Sequence, residues 1–440
     1  MKTLLPLCGL SNRYRWVPVG ASLVVITFGV CPALAETAVP LTTLKGLHPY
    51  ATVAVAYDTN PLRRSDNSGE ALQALADSYA LSIPELLNDP KLKDNVALLS
   101  SDLYEPESDV YTTIEAGFST EFNLSRQQFL VNGRIYQVLY DRLDEFNYVG
   151  GDAQALWKWV QGSLWEGEIG YRFLRKQRDF ANENIPTNDM LDRNTFSATA
   201  NRWLTPRWRL GGAASVAATS FDESEDLNQT IFGVGANLDY VTLAGSIFGV
   251  ESLFAKGTYP NDSERDYVQI SIGPTANWKP TTKTRIKANL AYETLTHDEQ
   301  PERDFDGLVG RIRATWQATG KTSVAFVLWR EFSNLNEESA NFAIIDGVGL
   351  EPSWSIASKT TLRALASFQR QAYQSFQGAN IVSDVEDRVD DVTYLGVWVD
   401  WQLRSGVSLS LGYSAGSRES TRALTDYDFQ NVQATITVAL

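Results

Sequence analysis

Alternation of apolar and polar residues is the dominant pattern along the chain. Residues 285–293 and 407–415 alternate in this way. Residues 268–278 place Val, Ile, Ile, Pro, Ala and Trp on one face, with Gln, Ser, Gly, Thr and Asn on the other. Because successive side chains of a strand point to opposite faces, each segment is predicted to be a two-faced β-strand.

Segments of this kind continue almost without a break to the C-terminus. Most are 10 to 15 residues long, whereas an ordinary soluble strand has about 5 or 6 residues and a membrane-crossing strand needs about 9–11. We predict 18 strands, at 50–58, 109–121, 127–140, 146–160, 163–175, 193–204, 206–219, 229–241, 246–258, 266–279, 283–296, 306–318, 321–332, 342–355, 359–372, 391–404, 406–417 and 427–440.

The predicted connections alternate between short and long. Residues 205–206 and 319–321 are short, whereas residues 176–192, 220–228 and 297–305 are longer and acidic. Short turns at one end and long loops at the other are typical of outer-membrane barrels, in which the turns are periplasmic and the loops extracellular.

The two faces of the strands show which side meets lipid. The polar faces carry many charges, among them Arg285, Lys287 and Arg313, which a dry core could not hold. The apolar faces are therefore expected to contact lipid and the polar faces to line a water-filled interior. We predict an all-β fold, a transmembrane antiparallel β-barrel of the outer membrane with about 18 strands.

The N-terminus has the features of a secretory signal peptide. A basic leader precedes the apolar stretch 17–30, which is too short to span a bilayer as a helix. Ala33-Leu34-Ala35 then provides a small-x-small cleavage site. We assign residues 1–35 to the signal peptide, 36–440 to the barrel, and the protein to the bacterial outer membrane after cleavage following Ala35.

Composition narrows the possible chemistry. The net charge is −15, and the two cysteines, Cys8 and Cys31, both fall in the leader. An acidic chain is a poor partner for nucleic acid. Only His48 and His297 lie beyond the leader, so no metal site and no cofactor are expected. His297, close to Asp298 and Glu299, is the single candidate for a hydrolytic base, and we predict a protein that is not an enzyme.

The longest predicted connection, residues 61–109, is an insertion at the extracellular mouth. Ser68 can cap a helix whose apolar positions follow at helical spacing. This partly helical insertion is interpreted as a lid or a plug, with a decorated surface loop as the alternative.

The predicted lumen lining is the direct clue to a solute. Basic residues predominate on the predicted inner face. A lumen with this charge would favour anionic groups such as uronate sugars. The alternative is that Glu293, Glu166 and similar acids pair with them across strands. Three aromatic residues could stack on sugars or fill space. The lumen-lining candidates are Arg134, Lys158, Arg172, Arg209, Arg285, Lys287, Arg311, Arg313, Arg363, Tyr136, Tyr394 and Trp398.

Three stretches resemble a known family. They are residues 57–63 (Tyr-Asp-Thr-Asn-Pro-Leu-Arg), 150–159 (Gly-Gly-Asp-Ala-Gln-Ala-Leu-Trp-Lys-Trp) and 165–171 (Trp-Glu-Gly-Glu-Ile-Gly-Tyr). They are similar to exopolysaccharide-operon outer-membrane proteins of the EpsL type, a family of β-barrel porins. The resemblance implies export or assembly of an extracellular polysaccharide and brings no established site residues.

The sequence favours a channel that secretes an extracellular polysaccharide without a chemical step. Expected partners are outer-membrane lipids and lipopolysaccharide, the polysaccharide, periplasmic export proteins and the barrel-assembly machinery. The final strand, alternating to Leu440, resembles the signal which that machinery reads. One alternative is a nutrient-uptake porin, which would need a constricting loop, most plausibly residues 176–192. Another is a structural or adhesive barrel plugged by residues 61–109.

Overall fold

The computed structural model describes residues 46–65, 106–182, 187–333, 342–374, 388–421 and 425–439. The predicted signal peptide, the cleavage site and most of the predicted insertion 61–109 lie outside these ranges. Within them, no helix is long and apolar enough to cross a membrane.

The described residues form one closed antiparallel barrel. Each strand pairs with its neighbours in the chain, and β1 closes the barrel by pairing with both β2 and β18. Closure pairs the edge strands with each other, as a lipid environment requires. The strands are β1 (Gly46–Asp58), β2 (Asp109–Leu124), β3 (Gln127–Tyr140), β4 (Tyr148–Gln161), β5 (Trp165–Gln177), β6 (Met190–Trp203), β7 (Trp208–Phe221), β8 (Gln229–Val241), β9 (Ile247–Thr258), β10 (Tyr267–Trp278), β11 (Thr284–His297), β12 (Phe305–Gln317), β13 (Thr322–Ser333), β14 (Phe342–Ala357), β15 (Thr360–Gln374), β16 (Val389–Arg404), β17 (Val407–Ser420) and β18 (Tyr427–Ala439).

The 18 strands agree with the predicted 18, with boundaries that differ by a few residues. The turns that begin after β2, β4, β6 and the later even-numbered strands contain two to five residues, and the connections after odd-numbered strands are longer. Gly162 and Gly406 take positive φ angles of 60° and 74° in two of these short turns, a conformation that suits glycine. The predicted fold class, an all-β antiparallel barrel of about 18 strands, is confirmed.

The outer surface carries the apolar face of the strands. Val53, Ile135, Ile270 and Leu308 are all exposed on it. In water such a continuous apolar surface would be unstable, whereas lipid tails match it. The barrel therefore lies in a membrane lipid environment.

Four of the longer connections, 141–147, 222–228, 259–266 and 298–304, repeat one loop geometry. In each, a backbone N–H donates to the side-chain oxygen of an Asn or Asp seven residues later, across a short 3-10 turn. The donor–acceptor pairs and their N···O distances are Tyr140–Asn147, 2.6 Å, Phe221–Asn228, 2.8 Å, Tyr259–Asp266, 2.7 Å, and His297–Asp304, 2.7 Å. This repeated side-chain cap gives the extracellular rim defined loops.

Candidate functional site: the inner wall and an inward loop

The strand registers show which side chains point into the barrel. Residues directly opposite in register share a face, so the inner face can be followed from strand to strand. It runs through Arg134 opposite Asp152, and through Lys158 opposite Glu168. All twelve predicted lumen residues fall on the face opposite the exposed apolar rows. Whether they contact a solute remains a prediction.

Most arginines of the inner wall are ion-paired across strands. Arg134 contacts Asp152 at 2.5 Å and Glu115 at 3.3 Å, and Arg209 contacts Asp239 at 2.5 Å and Glu166 at 3.0 Å. The same holds for Arg311 with Glu331, Arg313 with Glu351 and Arg363 with Asp400, at 2.6, 2.5 and 2.5 Å.

These pairs correct the expectation of a lumen that leans basic. Most of the partners, such as Asp239 and Glu331, were absent from the acids we expected on the inner face. Glu166 does pair with a cation, whereas Glu293 is fully buried opposite Ser271 and Gly307. No described cation lies within ion-pair distance of Glu293. Only Arg172 and Arg285, among the predicted lumen arginines, have no described carboxylate within that distance.

The three predicted aromatic residues pack against backbone and neighbouring rings. Tyr136 covers Gly150 and meets Tyr148 edge to face at 6.1 Å. Trp398 covers Gly396 and Gly412. Tyr394 is likewise buried, in a cluster that includes Phe429. These contacts agree with the space-filling alternative for all three residues.

One extracellular connection folds into the barrel. Residues 178–182 follow β5, and Ala181 packs on the inner faces of Tyr394, Tyr427 and Phe429 in β16 and β18. The guanidinium of Arg418, on β17, donates a hydrogen bond to the Ala181 carbonyl. Going round the wall, β1 to β4 lie between β5 and β18. We call residues 178–182 the inward strap, because they bridge this sector of the mouth.

The base of the inward strap is fixed to the rim. The Arg178 N–H donates to the Asp189 carbonyl at 2.9 Å, and its guanidinium donates to the Ser224 hydroxyl at 2.9 Å. On its inner side, Phe180 meets Phe146 edge to face at 5.2 Å and packs with Leu62. The strap is therefore held at both ends and along its middle.

Residues 57–63 form a buried, hydrogen-bonded cluster beside the inward strap, which we call the buried knot. Arg63 makes two hydrogen bonds to the Asp58 carboxylate, at 3.0 and 3.1 Å, and its guanidinium lies 3.7 Å from the centre of the Phe429 ring. Asn431 of β18 donates to Asp58 at 3.2 Å. The Asn60 amide donates to the Arg64 and Asp428 carbonyls. This knot ties the end of β1 to β18.

Solvent exposure varies along the inner wall. Towards the extracellular end Tyr373 is buried. Towards the periplasmic turns Arg285 and Asn289 are exposed on the same face, whereas Arg209 and Asp239 are buried there. We call the exposed part of the inner face around Arg285 and Asn289 the periplasmic vestibule.

The two histidines beyond the leader lie at the rim and on the inner face of the barrel. His297 is buried at the rim, where its ring nitrogen lies 3.4 Å from Asp304 and its backbone N–H donates to the same carboxylate. His48 lies on the inner face of β1, opposite Ser119. In the described ranges no group of three or more His, Cys, Asp or Glu residues could hold a metal ion.

No family model and no curated protein match this chain. Solved structures with a similar fold include the outer membrane protein OpdK from Pseudomonas aeruginosa, at 9% identity and a TM-score of 0.44, covering 90% of this chain and 100% of that one. OccK2 (OpdF) from the same organism has 8% identity, a TM-score of 0.47 and coverages of 91% and 100%. A BenF-like porin from Pseudomonas fluorescens Pf-5 has 10% identity, a TM-score of 0.45 and coverages of 91% and 100%. Likeness at this level carries no argument about a solute.

Proposed function

We propose that the protein is a diffusion channel of the outer membrane that admits small hydrophilic solutes through a mouth narrowed by the inward strap. The observation that carries this proposal is the contact of Ala181 with the inner faces of β16 and β18. A loop that bridges part of the mouth reduces the cross-section available to a solute. This favours uptake of small molecules over passage of a long polymer.

The rest of the geometry supports the same function. An 18-stranded barrel is wide enough to leave an aqueous lumen. Its inner wall is charged and largely ion-paired, and Arg285 and Asn289 in the periplasmic vestibule are exposed. A solute that passes the mouth would meet a polar path to the periplasm.

Polysaccharide export is the second candidate. It is favoured by the accessible vestibule, which would receive a substrate from the periplasmic side, and by the resemblance of residues 57–63 to the EpsL-type proteins. These residues form the buried knot that ties β1 to β18. For export, the mouth that the inward strap narrows would have to open to a polymer.

Planar-bilayer recordings of the refolded protein test the proposal. Replacing residues 179–182 with Gly-Ser-Gly-Ser should raise the single-channel conductance, because the strap loses Phe180 and its contacts with the wall. The same replacement of rim residues 261–264, of which Asn261, Ser263 and Glu264 are exposed, is the matched control and should leave conductance unchanged.

Liposome swelling separates the two candidates. The proposal expects uptake of monosaccharides and exclusion of long glycans. A wild-type protein with no conductance and no monosaccharide uptake would refute it. Current block by a long acidic glycan added only on the periplasmic side would favour export instead.

A further inference from the structure

We propose that basic residues on the short turns bind the head groups of anionic phospholipids in the periplasmic leaflet of the outer membrane. These residues are the charged members of the eight turns that follow even-numbered strands. We call them the basic collar, which consists of Arg126, Arg207, Lys279, Lys283, Lys321 and Lys359. The inference concerns the outer rim of the barrel and does not depend on the proposed channel.

The two ends of the barrel differ in the sign of their charges. All eight short turns lie within the described ranges, and every charged residue in them is a lysine or an arginine. The longer connections at the other end are acidic, and residues 222–228 hold four acids and no cation. The whole chain has 38 Lys and Arg against 53 Asp and Glu, so its composition does not account for an end that is entirely basic.

The charges of the basic collar are open to a ligand. Arg126, Lys283, Lys321 and Lys359 are exposed, and no described carboxylate lies within ion-pair distance of any of these four residues. Most arginines of the inner wall, in contrast, are paired with carboxylates across strands. An anionic partner at the turns would therefore meet cations that the described protein does not neutralise.

Tryptophans that face lipid place the basic collar at the depth of the head groups. Trp208 and Trp278 lie on the apolar face at this end of the barrel, and both are exposed. Arg207 immediately precedes Trp208, and Lys279 immediately follows Trp278. Tryptophan side chains at the ends of membrane strands lie where the hydrocarbon meets the head groups. Cations next to them are therefore within reach of lipid phosphates.

Two arginines show that this rim turns towards lipid. The guanidinium of Arg207 donates a hydrogen bond to the Tyr240 hydroxyl at 3.0 Å, and the Tyr240 ring lies 5.1 Å from the Trp208 ring. The guanidinium of Arg202, near the end of β6, lies 5.5 Å from the centre of the Trp165 ring. Both cations thus lie beside rings that face lipid, where a phosphate can accept charge-assisted hydrogen bonds.

Phosphatidylglycerol and phosphatidylcholine are the probes, because both carry a phosphate and only the first has a net negative charge. Basic residues at a bilayer surface attract lipids of net negative charge. Each lipid, in brominated form, is added to vesicles of phosphatidylcholine that contain the refolded protein, and quenching of tryptophan fluorescence measures its contact with the barrel. The wild type should prefer phosphatidylglycerol about two- to fivefold at about 0.1 M salt and lose most of this preference at about 1 M.

Two sets of substitutions with equal change in net charge locate the contact. The collar variant, which should lose the preference, combines Arg126→Gln, Lys283→Gln, Lys321→Gln and Lys359→Gln. The matched control removes four exposed cations towards the extracellular end and should keep the preference; it combines Arg142→Gln, Lys256→Gln, Arg330→Gln and Arg370→Gln. An exchange variant retains the collar charge and should also keep the preference; it combines Arg126→Lys, Lys283→Arg, Lys321→Arg and Lys359→Arg.

Heat-modifiable migration on gels checks that each variant is folded. A wild type without preference for phosphatidylglycerol, an exchange variant that loses the preference, or an equal loss in the collar variant and the matched control would overturn the assignment. Retention of the wild type on peptidoglycan sacculi, lost in the collar variant and without any lipid preference, would assign the basic collar to the cell wall and overturn the lipid assignment. None of these measurements depends on conductance, so failure of the basic collar leaves the proposed channel intact.

Discussion

The ion pair between Asp58 and Arg63 offers a sharp test of the buried knot. Both side chains are at most 3% exposed, and the guanidinium makes two hydrogen bonds to the carboxylate. Burial alone would lower the pKa of Arg63, but the Asp58 carboxylate more than offsets this, so the pKa is raised. When Asp58 is replaced by Asn this support is lost, but the ordinary pKa of an arginine is high enough that Arg63 stays charged.

The expected cost of Asp58→Asn is about 3–5 kcal/mol in the free energy of unfolding, because a buried cation loses its compensating charge. Arg63→Met should cost a similar amount by leaving the carboxylate unpaired. The double variant should cost less than the sum of the two single changes, since no buried charge is left without a partner. Urea unfolding in lipid vesicles, followed by tryptophan fluorescence, measures all three.

An outward ion pair provides the matched control. Arg330 and Asp346 lie 3.0 Å apart and are each 51% exposed. Asp346→Asn should cost less than Asp58→Asn, because both side chains of this pair are half exposed and not enclosed by protein. If Asp58→Asn cost no more than Asp346→Asn, or if the double-variant costs were additive, the reasoning about the buried knot would be refuted.

Three other predictions concern the wall and the rim. Gly273→Ala should prevent normal folding, because a Cβ there would overlap a backbone carbonyl of β11. A Cβ at Gly212 would make only an ordinary van der Waals contact, so Gly212→Ala should fold as wild type. Heat-modifiable migration on gels distinguishes the two variants. Asn228→Ala removes the side-chain cap of one rim loop and should lower unfolding stability by about 1 kcal/mol. Urea titration measures this, with Glu225→Ala, at an exposed position of the same loop, as the control. Burial raises the pKa of Tyr259 from 10.0 to about 12. The unfolded chain therefore loses this proton at a lower pH than the folded one, and the free energy of unfolding should fall between pH 10 and 12 by roughly 2–3 kcal/mol. Tyr259→Phe should flatten that part of the pH profile of stability, and an unchanged profile would contradict the assignment.

The inward strap lies within the loop that the sequence analysis named for an uptake porin, but its contacts could not be predicted from the sequence. Residues 176–192 were expected to constrict the barrel if the protein were an uptake porin, on the basis of loop length and parity. The contacts of Ala181 with Tyr427 and Phe429 join residues more than 240 positions apart. Nothing local in the sequence specifies such contacts, because they depend on a loop after β5 that reaches past β1 to β4 to the inner face of β18.

The ion pairs of the inner wall were partly accessible from sequence. Arg134 and Asp152 flank a connection whose length sets their register, so their opposition follows from the hairpin alone. Arg313 and Glu351 lie two strands apart, and their contact depends on side-chain reach. The repeated rim cap left a local signal that was missed, an Asn or Asp seven residues after Tyr140, Phe221, Tyr259 and His297.

The sequence by itself determined the strands, their number and the face each turns to lipid, because a period of two is a local property of the chain and the membrane enforces it. Only the tertiary structure decided which inner charges are neutralised, which loop enters the mouth and how residues 57–63 tie β1 to β18. These features arise from closure, which brings together side chains far apart in sequence. The position of Lys287 opposite Arg313 depends on both sequence and tertiary structure. The alternation puts each side chain on the inner face, and the strand register brings the two together.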